Sequence, residues 1–116
     1  MVIVKGEGYS VEYDESASTV AFAGTVRLPS GHEYDPILNI LQLARSQTSG
    51  GTLKLDFCKL QFLNSSGINA ISRFVIAARK DDQVKLLVIG SRDVYWHQKS
   101  LLNLQRLWSK VEIAIT

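Results

Sequence analysis

The sequence predicts an α/β fold, in which one open mixed sheet of four to five strands has helices packed against it. Segments that alternate apolar and polar residues, as strands do, are interleaved with segments whose apolar residues recur at helical spacing. The chain has 116 residues, of which 46% are hydrophobic. This length and composition suit a single domain over 1–116.

The first half of the chain is predicted to contain two strands, a helix and a third strand. YSVEY, from Tyr9, and TVAFAGTV, from Thr19, alternate polar and apolar residues around a turn-forming stretch. Asp35 followed by Pro36 is typical of a helix start, with aspartate as the N-cap and proline in the first turn. Helical spacing of apolar residues then continues to about Gln47, and TLKLDF follows as a strand.

The second half alternates helices and strands. A helix over about 66–80 has its predicted core side at Ile68, Ile71, Phe74, Val75 and Ala78. KLLVIG, 85–90, is a nearly continuous apolar run, which is typical of a strand buried on both faces. LLNLQRLW forms a third helix with Leu101, Leu104 and Trp108 on one side, and VEIAIT is the last strand. The predicted order is therefore ββαβαβαβ.

Composition excludes several classes of protein. The net charge of +2 is too small and too scattered for a nucleic-acid-binding surface. The apolar run in MVIVKGEGYS is too short for the core of a signal peptide, and no stretch approaches the roughly 20 apolar residues that span a bilayer. We therefore expect a cytoplasmic protein without membrane insertion. Cys58 is the only cysteine, which excludes intramolecular disulfides and multi-cysteine zinc sites.

No catalytic constellation is visible in the sequence. A serine or cysteine nucleophile needs a base beside it, and the two histidines, His32 and His97, lie in no recognisable active-site context. Both are expected at the surface or in loops. Asp81 and Asp82 are adjacent and are expected to form a solvated helix end. The sequence predicts no enzyme, no cofactor and no metal site.

Two serines follow an apolar run in FLNSSGINAIS, 62–72. A serine at a helix N-cap satisfies one of the N–H groups that the first turn leaves free, so one of the pair is expected as the cap. The same position suits a phosphate, because the free N–H groups and the helix dipole favour an anion. A phosphate at Ser65 is thus compatible with the fold and would change the surface that a partner meets.

The predicted helix also has an outward side. A projection at about 100° per residue places these residues opposite the core, with Ser65 near them: Asn69, Ser72, Arg73, Ile76 and Lys80. Ile76 is an apolar residue among polar ones. The side is either a docking surface or a plain solvated face.

LKLDFCKLQFLNSSGINAI resembles the signature of STAS domains, the family of bacterial anti-sigma factor antagonists. The signature is a strand that ends in aspartate, a short connection, an apolar pair, and then Asp-Ser-Ser-Gly at the start of a helix. The resemblance extends over nearly the whole chain, because VAFAGTV is similar to the family's second strand and KLLVIG lies where the strand after the signature helix is expected. It implies a single STAS-like domain.

The resemblance implies that a partner anti-sigma factor, itself a serine protein kinase, phosphorylates Ser65. Unphosphorylated antagonist binds the kinase and frees the sigma factor, and an opposing phosphatase resets the modified form. The antagonists usually have aspartate where this chain has Asn64. Asparagine serves equally if that residue holds the turn, and it slows phosphorylation if the charge activates the hydroxyl. The predicted partner-binding residues are Asp56, Asn64, Ser66, Gly67, Asn69, Ser72, Arg73 and Ile76.

Two functions remain open at this stage. One is a phosphorylation-controlled interaction module that acts in signal transduction and transcription regulation. The other is a constitutive STAS subunit of a transporter or signalling scaffold, in which Ser65 is only a helix cap. The sequence does not indicate an oligomeric state.

Overall fold

The computed structural model describes all 116 residues. Six strands and four α-helices follow one another as β1 Val2–Gly6, β2 Tyr9–Asp14, β3 Thr19–Val26, α1 Asp35–Gln47, β4 Thr52–Leu63, α2 Ser65–Asp81, β5 Lys85–Gly90, α3 His97–Ser100, α4 Leu102–Leu107 and β6 Val111–Ile115. A 3₁₀ turn, Gly31–Tyr34, leads into α1. No helix combines the length and the apolar composition that a bilayer crossing requires.

The six strands lie in the sheet in their chain order, from β1 to β6. The pairs β1–β2 and β2–β3 are antiparallel, and β3 to β6 are parallel. Crossover connections between parallel strands have the same hand. When each crossover also adds its strand at the same edge of the sheet, the connecting helices lie on the same face. Consistent with this rule, α1 contacts α2 and α2 contacts α4. One face of the sheet is therefore covered by helices, and the other is not.

The core lies between the sheet and the helix layer, in one cluster of 26 buried residues. Phe22 of β3 and Phe57 of β4 stack at its centre, with ring centroids 4.6 Å apart. The uncovered face carries the alternate strand residues, for example Ala21, Asp56 and Ile89, which are paired across three neighbouring strands and half-buried. One face of the sheet is thus buried in the core, and the other faces solvent.

The predicted α/β order is confirmed from Tyr9 onward, and the structure adds an edge strand and a short helix. β1 pairs with β2 through a tight turn in which Gly8 has a φ of 80°, a conformation that glycine adopts without strain. The predicted third helix corresponds to α4, and a separate short helix, α3, precedes it in the segment that was predicted as a connection; Leu101, Leu104 and Trp108 are all buried. KLLVIG is buried on one face only, since no helix covers the other.

Two predicted boundaries were wrong. α1 has Tyr34 rather than Asp35 as its N-cap, because the preceding 3₁₀ turn runs directly into the helix and gives Asp35 helical φ and ψ of −55° and −43°. β4 does not end at Asp56 but continues to Leu63. The extension pairs with β3 across two bulges, each of which inserts one extra residue in β4. Asp56 is therefore a mid-strand residue on the uncovered face.

Candidate functional site

Asn64 is the N-cap of α2, and it lies directly after the last residue of β4. Its extended backbone, with φ −73° and ψ 173°, turns the chain into the helix, and its Oδ1 accepts a hydrogen bond from the Gly67 N–H at 3.0 Å. Its Nδ2 donates to the Leu28 carbonyl at 2.9 Å. A serine was expected as the cap. That expectation was wrong, because asparagine satisfies both the helix and the neighbouring loop.

Tyr34 completes the support of this cap. Its hydroxyl donates to Asn64 Oδ1, so that the amide oxygen accepts two hydrogen bonds while the amide nitrogen donates one. Burial raises the pKa of Tyr34, which keeps the hydroxyl protonated and able to donate. The turn that the signature residues form is therefore fixed by contacts 30 and 36 residues away in the chain.

Ser65 is the first residue of α2, and its side chain is exposed. Since Asn64 provides the cap, the Ser65 hydroxyl has no role in closing the helix and bonds to no protein group. The N–H groups of Ser65 and Ser66 belong to the first turn, where the helix offers no carbonyl partner. The first turn also contains no acidic residue. Ser65 therefore presents a free hydroxyl beside the positive end of the helix dipole.

Gly67 is buried because the chain packs closely at this point. A methyl group at its Cα would overlap Leu63 Cδ1 and would lie 2.7 Å from the Tyr34 hydroxyl. Only a hydrogen fits there. The glycine predicted to begin the helix thus allows Tyr34 to reach Asn64, and it acts on the site from inside the fold rather than from its surface.

An open groove of about 440 Å³ runs along the outward side of α2. Its lining residues are Gly31, Ser66, Asn69, Ser72, Arg73 and Ile76. Five of these belong to the predicted partner-binding set. Asn69, Ser72, Arg73 and Ile76 lie together as the helical spacing predicted, whereas Ser66 lines the groove in place of Ser65. Gly31, which comes from the 3₁₀ turn, was not predicted, because nothing in the local sequence indicates that this turn packs beside α2. We refer to these six residues as the α2 groove.

Asp56 does not join the α2 groove. Its Oδ1 accepts a hydrogen bond from the Cys58 N–H at 2.9 Å, next to a bulge of β4. Because Asp56 faces the uncovered side of the sheet and the helices pack on the other side, the sheet separates its carboxylate from the α2 groove. The structure thus divides the predicted partner-binding set between two faces.

A second, apolar surface borders the same end of α2. Trp96 lies beside Leu63 and Ile68 around a small apolar recess, and its Nε1 donates to the Gln61 carbonyl at 2.8 Å. Phe62 is exposed at the end of β4, where the Arg27 guanidinium stacks over its ring at 4.8 Å. The N-terminus of α2 is therefore flanked by a polar groove on one side and by aromatic residues on the other.

His97 was expected at the surface or in a loop, and this expectation was wrong, because it is the first residue of α3 and is buried. Its side chain is fully buried, with Nδ1 accepting from the Ser91 N–H and the Nε2–H donating to the Leu60 carbonyl, both at 2.9 Å. Burial lowers the pKa of His97 and favours the neutral ring. His97 therefore holds the loop after β5 against β4. His32, in contrast, is almost fully exposed, as predicted.

Comparisons with known proteins identify the fold. No family model and no curated protein sequence matches the chain. A chain in the crystal structure of the diguanylate cyclase SiaD in complex with its activator SiaC, from Pseudomonas aeruginosa, aligns with a TM-score of 0.74 at 17% identity, over 99% of this chain and 98% of that chain. The predicted STAS-like fold is confirmed.

Two further structures agree with this result. SiaC of Pseudomonas aeruginosa aligns with a TM-score of 0.73 at 18% identity, over 99% of this chain and 96% of that one. Apo-SiaC from the same organism aligns with a TM-score of 0.72 at 17% identity, over 100% and 99% of the two chains. At these identities the similarity establishes the fold, and the function has to be argued from the site.

Proposed function

We propose that this protein is a protein-interaction module that binds its partner through the N-terminal half of α2 and is switched by phosphorylation of Ser65. The single observation that supports the switch is that Asn64, and not Ser65, caps the helix, so that Ser65 is left exposed with a free hydroxyl. A kinase can modify this hydroxyl without breaking any internal hydrogen bond.

A phosphate at Ser65 adds about −2 charges at pH 7. The fold accommodates these charges, since the first turn of α2 contains no carboxylate and its free N–H groups attract an anion. A docked partner cannot accommodate these charges, because it must desolvate the phosphate or leave it unpaired in the interface. Phosphorylation therefore releases the partner while the module remains folded.

The family resemblance supports a kinase-type anti-sigma factor as the partner, with a phosphatase that reverses the modification. The structural comparisons favour a second candidate, which is binding to a partner enzyme, because one matched structure is described as a complex of a diguanylate cyclase with its activator. Both candidates use protein–protein contact, and neither gives this chain a catalytic role. A constitutive scaffold subunit is the remaining alternative.

Quantitative capture from the host with tagged wild type, Ser65→Ala and Ser65→Asp tests the proposal. Ser49→Asp is the matched control, because it adds the same charge at an exposed turn beside the other end of α2. We expect one kinase or cyclase partner to be retained by wild type, Ser65→Ala and Ser49→Asp, and to bind Ser65→Asp at least about tenfold more weakly. Equal retention by Ser65→Ala and Ser65→Asp would refute the switch and favour the constitutive alternative.

A further inference from the structure

The α2 groove contains donors and a positive charge but no carboxylate. Arg73 is exposed and lies within salt-bridge distance of no acidic side chain, and the side chains of Ser66, Asn69 and Ser72 make no hydrogen bond within the protein. At the other end of α2 the situation differs, since Asp81 pairs with Arg45 at 3.0 Å and Asp82 with Lys110 at 2.8 Å. Arg73 is therefore without an ionic partner, whereas both carboxylates at the C-terminal end of α2 have one.

Neither of the two carboxylates nearest in sequence to Gly31 forms a salt bridge with Arg73. Glu33 Oε2 accepts from the N–H and the hydroxyl of Ser30, both at 3.2 Å. Asp35 lies 3.9 Å from His32. The Arg73 guanidinium instead rests against the glycine, where a methyl group on Gly31 would lie 3.4 Å from Nη2. The 3₁₀ turn thus gives the guanidinium space without neutralising it.

We infer that the partner inserts an acidic side chain, with an aliphatic residue beside it, into the α2 groove, where the carboxylate pairs with Arg73. This inference rests on the proposed function and identifies the chemistry of its partner. Arginine binds carboxylates through two parallel hydrogen bonds, and the three neutral side chains add further donors. Ile76, half-buried and one turn from Arg73, provides the apolar contact.

The composition of the groove indicates a protein segment rather than a free ion. A small anion paired with Arg73 would leave the apolar side chain of Ile76 uncovered. The position of Ser65 connects the groove to the switch. Ser65 and Arg73 are eight residues apart, or about 12 Å along the axis, and an arginine side chain on a helix points back toward the N-terminus. A phosphate at Ser65 thus repels the incoming carboxylate and competes with it for Arg73.

Titration of the ¹⁵N-labelled full chain with acetyl-Leu-Glu-Leu-Glu-Leu-amide, followed by NMR, tests this inference. The matched probe is the same peptide with glutamine in place of glutamate. We expect the acidic peptide to shift the amide signals of residues 66–76 and to bind at least about fivefold more tightly than the glutamine peptide. Arg73→Gln should weaken binding of the acidic peptide by a similar factor, Arg73→Lys should weaken it less, and Arg106→Gln, a change at an exposed unpaired arginine of α4, should leave it unchanged.

Equal affinity for the two peptides, shifts outside the α2 groove, or an equal effect of Arg73→Gln and Arg106→Gln would overturn the inference. Ser65→Asp distinguishes it from the proposed switch. We expect this variant to bind the acidic peptide about tenfold more weakly. If it binds the acidic peptide as tightly as wild type does, the switch at Ser65 is refuted, while the contact of the peptide with Arg73 remains supported.

Discussion

The side-chain amide of Asn64 donates a hydrogen bond to the main-chain carbonyl of Leu28 across 2.9 Å. This bond joins the start of α2 to the segment that follows β3, next to the 3₁₀ turn that contributes Gly31 to the α2 groove. An aspartate in the same position could cap the helix but could not donate to a carbonyl when it is ionised. The asparagine is thus a structural requirement of this chain, and the turn is held without a negative charge beside Ser65.

Asn64→Asp should therefore destabilise the fold. The carboxylate keeps the cap but loses the donor to Leu28 and faces the carbonyl oxygen instead, at a cost of about 1–2 kcal/mol in the free energy of unfolding at pH 7. Urea denaturation measures this difference. Asn103→Asp, which makes the same change at an exposed position of α4, is the control and should shift stability by less than about 0.5 kcal/mol. Equal effects of the two variants would contradict the role of the Leu28 contact.

Substitutions at Ser65 should leave the fold intact. Because Asn64 is the cap, Ser65→Ala removes no hydrogen bond and should change the free energy of unfolding by less than about 0.5 kcal/mol. Ser65→Asp places a negative charge in the first turn and should stabilise the helix by about 0.3–1 kcal/mol at low ionic strength. Thermal and urea unfolding of both variants check this. A loss of about 1 kcal/mol in Ser65→Ala would instead identify Ser65 as the cap.

Gly67→Ala should disturb the site from within. The added methyl group overlaps Leu63 and crowds the Tyr34 hydroxyl, so we expect a loss of about 1–3 kcal/mol in stability together with a shifted Tyr34 signal in NMR spectra. Gly31→Ala is the matched control, because its methyl group would meet only the flexible end of Arg73. Comparable losses in both variants would show that the close packing at Gly67 is unimportant.

The stability of the protein should fall in mild acid because of His97. Burial places its pKa below the value near 6.5 of an unfolded chain, so the unfolded state binds the proton more readily. The contribution of neutral His97 to the free energy of unfolding is complete above about pH 6.5. It is lost as the pH falls below this value, at up to about 1.4 kcal/mol per pH unit. Urea unfolding between pH 5 and 7.5 measures the slope. His97→Gln should flatten it, and His32→Gln should not.

Periodic features of the fold could be predicted from the sequence. In α2 the spacing of Ile71, Phe74, Val75 and Ala78 identified the buried side, and the opposite side became the α2 groove. Burial of one helix face is a local property of residue spacing, which explains why this part succeeded. The strands β2, β3 and the first half of β4 were predictable through the alternation of their residues, and β5 through its apolar run.

The features that were not predictable depend on contacts between distant segments. His97 is buried because its ring donates a hydrogen bond to the Leu60 carbonyl and accepts one from the Ser91 N–H, and neither partner can be inferred from the residues around it. The role of Asn64 depends likewise on Leu28 and Tyr34. β4 extends past Asp56 because two bulges keep it paired with β3. Each case is a tertiary interaction that local propensity does not encode.

The strands lie side by side in the sheet in the same order in which they are synthesised. The antiparallel unit of β1 to β3 emerges first and forms from neighbouring segments. Each later crossover then adds one strand to a single growing edge, and no strand has to enter between two that are already paired. Because domains tend to fold from their N-terminus during synthesis, this sheet can be completed by successive addition, with β6 docking last onto a template that already contains the Ser65 turn.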